Sequence, residues 1–345
     1  MTISHRGPLE PPDPDQIEIT LLGRGVGESV VVHLTNGVWL IVDSFNQGAS
    51  PAPQSYLEAM GVGESAVKVL VITHFDRDHY LGIDKLHANY STARLMITRA
   101  LRTEPFYQLY SYNDPDNDLR MLAGTLRRAR EREIAPHTPG IRDLQVSQLV
   151  LESGPVQVRA LSPTQAAVDA SCAELAASID ASDISAVKSQ LSRDNRCSVV
   201  LHISAPEAAC LLGADLERGV AGFGWQAVLD EPDHENLQRS NIVKVPHHGS
   251  NGADHPGMWD HLVDRDPWLL VAPFWSSGLP RDTDIIRLKQ RSRTVYQAAP
   301  SVGYEENEFG VRVSLRAETG IVQARRRINE PDWSVSPVDP AFLHP

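Results

Sequence analysis

Val67-Lys-Val-Leu-Val-Ile-Thr73 is apolar at nearly every position. So short a run, rich in β-branched residues, reads as a strand covered on both faces. A chain containing such a strand must supply packing layers on either side of a sheet. The run leads directly into His74-Phe-Asp-Arg-Asp-His79, where His74, Asp76, Asp78 and His79 place four possible metal ligands within six residues. Loops leaving buried strands are where a rigid scaffold displays functional side chains. Imidazole and carboxylate together suit divalent ions such as zinc, manganese or iron. The competing reading, a solvated charged turn, leaves two histidines and two aspartates alternating after an apolar strand without a cause.

The flanking sequence supplies the layers. Residues 1–15 are rich in Pro and Asp and read as a flexible arm. Alternating strands follow over 17–22 and 29–34, joined by the turn Gly23-Arg-Gly-Val-Gly-Glu28, and Asn36-Gly37 turns the chain into Val38-Trp-Leu-Ile-Val-Asp43. A helix is expected over about 52–61, and residues 83–136 read mostly as helix. Strands are expected at 148–152 and 156–161, and the Ala-, Ser- and Asp-rich stretch 164–191 reads as a helical insertion. Further strands fall at 198–203, 208–213, 241–245 and 268–272, then a helix at 283–290, with 294–296 and 311–315 as the last strands. Two strand blocks, each with helices, predict the α/β class: two β-sheets face to face, with helices on the outer faces. One domain is expected over 16–328, with helical insertions near 90–140 and 165–190 and a tail at 329–345.

Composition narrows the partners. The formal net charge is −12, whereas nonspecific grip on nucleic acid depends on Lys and Arg releasing counterions from many phosphates. Such a chain should not coat DNA, but bound metals could supply positive charge locally. No stretch approaches the ~20 apolar residues of a membrane span, and the amino end lacks the apolar core of a secretory signal. Cys172, Cys197 and Cys210 form neither a disulfide framework nor a metal knuckle, and read as packed thiols. A soluble cytoplasmic protein with no membrane partner is expected, its oligomeric state open.

Two downstream segments extend the cluster. Leu211-Leu-Gly-Ala-Asp215 ends an apolar strand in a carboxylate, and Lys244-Val-Pro-His-His-Gly-Ser250 follows another strand. Alone, Asp215 reads as a strand-end turn or cap, and the His-His pair as surface or packing. Their shared position at strand exits lets a two-sheet fold bring them together.

Thr73-His-Phe-Asp-Arg-Asp-His-Tyr-Leu-Gly82 resembles the signature loop of the metallo-β-lactamase superfamily, with Asp76 where the second histidine of the usual His-x-His-x-Asp-His pattern stands. That departure, together with Val245-Pro-His-His-Gly-Ser250, resembles the hydrolase domain of DNA-uptake competence proteins of the ComEC type. The glycine-rich turn at 23–27, Asp43, Leu161-Ser-Pro163 and Gly213-Ala-Asp215 are weaker matches, and the resemblance runs from about 17 to 325. It implies two divalent ions, zinc or manganese. His74 and Asp76 would help hold one, Asp78 and His79 the other, and Asp215 would bridge them. One histidine of the His247/His248 pair would complete the second site; His248 is preferred, with His247 beside it or contacting substrate. Asp78, Asp215 and His248 are the expected catalytic residues. Asp43, Ser250 and Asn195 are expected to support ligands or substrate.

The third ligand of the first ion is open, since Asp194-Asn195 stands where the superfamily often has a histidine. His137 lies too early in the chain to replace it, and Ser276-Ser277 stands where relatives often carry Asn and His-Pro. His33, His87, His202, His234, His255 and His261 read as ordinary surface or core histidines. Two adjacent cations would activate water and stabilise developing charge, and the resemblance to the ComEC-type domain implies a phosphodiesterase or nuclease acting on DNA, RNA or nucleotides. Hydrolysis of a lactam, lactone or thioester is the alternative reaction, and a non-catalytic metal-containing partner protein the alternative class. No Gly-x-Ser-x-Gly elbow or phosphate loop favours a covalent or nucleotide-triphosphate mechanism.

Overall fold

The computed structural model describes residues 9–97, 118–134, 148–180, 195–306, 312–314, 318–330, 332–338 and 340–345. The amino half begins with β1 (Gln16–Gly23), β2 (Glu28–Thr35) and β3 (Val38–Val42), followed by the short pair β4 (Asn46–Gln47) and β5 (Ser50–Pro51). Next come α1 (Ala52–Ala59), β6 (Val67–Val71), α2 (Arg77–Tyr80), α3 (Ile83–Asn89), β7 (Arg94–Met96) and α4 (Asp118–Ile134). The middle of the chain holds β8 (Gln148–Ser153), β9 (Val156–Ala160), α5 (Gln165–Asp180), β10 (Leu201–Ala205), β11 (Ala208–Leu212), α6 (Gly224–Asp230) and β12 (Ser240–Lys244). After it come α7 (Pro256–Leu262), β13 (Val263–Val271), α8 (Asp282–Lys289) and β14 (Thr294–Gln297). The last strands are β15 (Tyr304–Glu306), β16 (Arg312–Ser314), β17 (Gly320–Arg327), β18 (Ser334–Val338) and β19 (Phe342–Leu343).

Two large sheets form, ordered β18-β17-β1-β2-β3-β6-β7 and β19-β14-β13-β12-β11-β10-β9-β8. Period-two alternation decides which side chains face which layer. Ile19, Leu21, Val30, Val32, Leu40 and Val69 meet Val158, Leu201, Ile203, Leu212, Ile242 and Leu270 between the sheets. The intervening residues Val31, Ile41 and Leu70 face outward and are covered by Tyr56 and Leu57 of α1, Leu86 of α3 and Leu122 and Leu126 of α4. On the other outer face Val243, Leu269 and Val295 pack under Trp225 of α6, Met258 and Trp259 of α7 and Leu288 of α8. The result is the expected helix–sheet–sheet–helix sandwich. It explains why Val67–Val71 is apolar except at the exposed Lys68: both faces of β6 are covered beyond that position.

Some expectations change. The described part of 83–136 is mostly helix, in α3 and α4, but β7 adds an unexpected parallel strand beside β6 at the sheet edge. Of the strand expected at 311–315, the described residues Arg312–Ser314 pair with β15 in a two-stranded ladder apart from the two large sheets. That strand is not the last. β17 pairs with β1 along its whole length, β18 follows beside it, and β19 joins the second sheet. Arg325-Arg-Arg327 disguised β17 by adding charge to a strand. Arg325 reaches Glu18, and Arg327 pairs with Asp13 and Asp15, which ties residues 13–15 of the arm to this strand. No helix among the described residues is long and apolar enough to cross a membrane.

The topology fixes where function can sit. β3, β6 and β7 run parallel in one sheet, and β11, β12, β13 and β14 in the other. Ligands of open α/β sheets bind beyond the carboxyl ends of parallel strands. Asp43, His74, Asp215, His247 and His248 all follow such ends.

Candidate metal centre

Each side chain of the cluster is delivered by a strand exit with its own backbone constraint. Asp43, Ala214, His247 and His248 all take positive φ, at 60°, 44°, 47° and 52°. A left-handed non-glycine residue costs roughly 1–2 kcal/mol, so four at one place mark a backbone bent for the site rather than for comfort. The two consecutive left-handed histidines turn the chain sharply after Pro246. Gly213 permits that turn to dock: a Cβ there would lie 2.5 Å from Pro246 Cγ. Gly27 of the glycine-rich turn plays the same part on the other side, since its Cβ would meet Phe45 Cβ at 2.3 Å.

The rings are locked with the same edge inward. Thr73 Oγ1 donates to Asp43 Oδ2 at 2.6 Å, so towards His74 Nδ1, 2.9 Å away, it can only accept. His79 Nδ1 donates to Asp43 Oδ2 at 2.8 Å. His248 Nδ1 donates to the Ala272 carbonyl at 3.2 Å. Each Nδ1 therefore keeps its proton and each Nε2 offers a lone pair to the interior, the arrangement of metal-binding histidines. Phe274 stacks on His248 with ring centroids 5.0 Å apart.

Two groups of donors result. In the inner group His79 Nε2 lies 3.4 Å from Asp78 Oδ2 and 3.6 Å from Asp215 Oδ1. His248 Nε2 lies 3.3 Å from both Asp78 Oδ2 and Asp215 Oδ2. Nitrogen and oxygen ligands of a tetrahedral ion stand roughly 3.3–3.6 Å from one another, so these spacings suit a single ion. In the outer group His74 Nε2 is 3.6 Å from Asp76 Oδ2 and 4.0 Å from Asp215 Oδ2. Asp215 faces both groups.

Charge supports the same conclusion. Glu28, Asp43, Asp78 and Asp215 are buried carboxylates, and Lys244 is the buried ammonium among them. Burying uncompensated charge is expensive. The atoms at the centre are also unpartnered: His74 Nε2, Asp78 Oδ2, His79 Nε2 and Asp215 Oδ1 are buried without a hydrogen bond. Such a cluster is satisfied by cations. Burial opposes a charged His79, yet Asp78, Asp215 and Asp43 outweigh it and hold the imidazole well above its ordinary range. Burial likewise opposes charge on His248, and Asp215, Asp78 and Glu28 push it up to about 10. For Asp78 and Asp215 burial is again the largest influence, and the facing histidines overcome it and lower both carboxyls. The residues fit divalent metal.

Glu28 and Lys244 were missed in the sequence. Donor atoms of Glu28, His79, Asp215 and His248 lie within 4.8 Å of one another, which would allow Glu28 as a ligand. Its contacts argue otherwise. Glu28 Oε2 faces His248 Nδ1 at 3.3 Å and Oε1 lies 3.8 Å from His79 Nδ1, behind the rings. Its Oε1 also pairs with Lys244 Nζ, which donates to the Ala214 carbonyl at 3.0 Å. Glu28 therefore holds the back edges of two histidines. The signal was available: Lys244 continues the inward positions Ser240 and Ile242, so an ammonium had to enter the sandwich and find a partner.

Other expected residues lie apart. Ser250 Oγ accepts from Gly252 N at 3.2 Å and caps the next turn; its backbone N donates to the His247 carbonyl at 2.8 Å, and no described side-chain contact joins it to the donor atoms. Asn195 opens a short 3-10 turn, buried, with Oδ1 unpartnered, and no described contact links it to the ligands. His137 and Asp194 lie outside the described residues. Ser276 and Ser277 are exposed, on a turn whose Trp275 N donates to the Gly25 carbonyl at 2.8 Å. His33, His87 and His202 are buried away from the cluster.

Two face-to-face sheets with outer helices carry a His/Asp cluster at the ends of parallel strands, an arrangement consistent with the metallo-beta-lactamase sandwich. Residues 22–176 match the family model of the metallo-beta-lactamase superfamily. Among solved structures the chain is similar to human tRNase Z, short form, with 13% identity over 74% of this chain and 92% of that one, at a TM-score of 0.41. It is also similar to MEM-A1, a subclass B3 metallo-beta-lactamase from a soil metagenome library, with 16% identity over 70% and 82% and a TM-score of 0.37. A metallo-beta-lactamase of Cronobacter sakazakii, a HARLDQ motif mutant, shows 15% identity over 70% and 81%, with a TM-score of 0.37. No curated protein matches.

Proposed function

We propose that the protein is a metal-dependent phosphodiesterase or nuclease acting on DNA, RNA or nucleotides, with a pair of zinc or manganese ions. The observation that carries the reading is the donor set itself. Asp76, Asp78 and Asp215 set three carboxylates among His74, His79 and His248, an oxygen-rich mixture that suits hard divalent ions. When bound, two such ions supply Lewis-acid charge and a water of lowered pKa. The chain's own residues bind and orient. His74 and Asp76 would hold the outer ion; Asp78, His79 and His248 would hold the inner one, with Asp215 shared. Asp43, through Thr73 and His79, fixes two imidazoles in the tautomer that leaves Nε2 free, and Glu28 with Ala272 does the same for His248. Phe274 covers one face of the His248 ring and excludes water there.

An acidic chain fits this role if anionic substrate is drawn to the centre rather than to the surface at large. The test is hydrolysis by purified protein with Mn²⁺ or Zn²⁺ of labelled single-stranded DNA, RNA, nucleotides and a chromogenic lactam. Metal-dependent cleavage of a phosphodiester, abolished in Asp215→Asn, is expected. Turnover of the lactam alone would replace the proposal with hydrolysis of a non-phosphate bond.

A further inference from the structure

We infer that His247 completes the outer donor set with His74, Asp76 and Asp215, so that the two consecutive histidines of the Pro-His-His-Gly turn serve different ions. The inference rests on the metal reading above and concerns a residue that the sequence left beside the site.

His247 Nε2 lies 3.8 Å from Asp215 Oδ2, the oxygen that His74 Nε2 approaches at 4.0 Å. That spacing is slightly wider than the roughly 3.3–3.6 Å expected of donors around one tetrahedral ion, as is the His74 spacing already assigned to the set. The backbone explains how neighbours in sequence diverge. With φ of 47° and 52°, both residues are left-handed, and their rings stand 6.0 Å apart at 63°. His248 goes towards His79, with centroids 5.7 Å apart; His247 goes to the outer side of Asp215.

The polarity of the ring agrees. His247 Nδ1 faces Glu217 Oε1 at 3.5 Å without closing a hydrogen bond. A carboxylate behind Nδ1 favours the proton there and the lone pair on Nε2, as Asp43 does for His79. Glu217 thus stands to His247 as Asp43 stands to His79. Without His247 the outer set has three donors; with it the outer set has four, like the inner. The outer set is also the wetter one. The side chains of His247 and Asp76 are each 24% exposed, whereas His79 is 0% and His248 2%. The outer ion should therefore exchange faster and leave first.

The experiment counts ions in the full-length protein, reconstituted with Mn²⁺ or Zn²⁺, by elemental analysis and chelator competition. His247→Asn is the informative variant, because Asn tolerates the left-handed backbone that position needs. Wild type should hold two ions of unequal affinity. His247→Asn should weaken the looser ion at least about tenfold and leave the tighter one unchanged; His248→Asn should weaken the tighter one. Both ions retained at wild-type affinity in His247→Asn would overturn this inference while leaving the metal centre intact. Wild type holding no divalent ion would overturn the metal reading and this inference with it. Should the variant fail to fold, anomalous diffraction from wild-type crystals decides. An ion within about 2.0–2.2 Å of His247 Nε2 is expected, and one placed beyond bonding reach refutes the assignment.

Discussion

Asp43 shows how a single residue can govern a site it does not enter. Oδ1 accepts from Thr73 N at 2.8 Å, and Oδ2 accepts from both the Thr73 hydroxyl and His79 Nδ1. Asparagine is nearly the same shape but brings an amide that must point at one of these donors. With its NH₂ towards His79, the imidazole would move its proton to Nε2 and lose the inward lone pair. Asp43→Asn should therefore fold normally and bind metal about 10–100-fold more weakly, as chelator competition would show. The sequence placed Asp43 at the end of a strand and marked it as a support for ligands or substrate, without saying which atoms it would hold. Its left-handed φ and its reach across to Thr73 come from the neighbouring parallel strand, thirty residues on.

At the scale of elements, the Glu28–Lys244 pair joins the start of β2 in one sheet to the end of β12 in the other. Both side chains are buried. Burial works against the Lys244 ammonium, and Glu28 and Asp215 outweigh it and raise its pKa. Removing one partner strands the other charge inside. Lys244→Met should destabilise the protein by roughly 3–5 kcal/mol in denaturant melts. The double variant Glu28→Leu/Lys244→Met should recover much of that loss, because two apolar residues replace a buried ion pair. Metal affinity should stay reduced in the double variant, since His248 Nδ1 then loses the carboxylate beside it and keeps only the Ala272 carbonyl. Full recovery of both would reduce the pair to a packing role. Strand exits were legible in the sequence, as β3, β6, β11 and β12 each end in a recognisable polar residue. β17 was not. A strand that buries one face against the core and lines the other with arginines for Glu18, Asp13 and Asp15 loses the hydrophobic run that betrays a strand.

For the whole molecule, the excess of buried carboxylate makes stability depend on cations. Any ligand that binds only the folded chain stabilises it by mass action, about 2.7 kcal/mol at a free concentration one hundred times Kd. Zn²⁺ or Mn²⁺ at that level should raise the melting temperature by several degrees, and a chelator should reverse the shift. Asp215→Asn should blunt the response, because it weakens both donor sets. A melting temperature indifferent to every divalent ion would count against the centre itself. The overall charge of −12 then has a local counterpart in the buried carboxylates Glu28, Asp43, Asp78 and Asp215 gathered at the site.

The sequence by itself determined the layered class of the fold and the crowding of four possible donors between His74 and His79. Periodicity of apolar residues sets which faces are buried, and His74 to His79 lie close enough in the chain to converge in any fold. Only the tertiary structure decided the rest. Which edge of each imidazole faces inward, which of His247 and His248 meets which carboxylate, and that Glu28 stands behind the rings all depend on hydrogen bonds and backbone turns between strands distant in the chain. Those interactions act through distances of a few ångströms, and residue order carries no record of distance across two sheets.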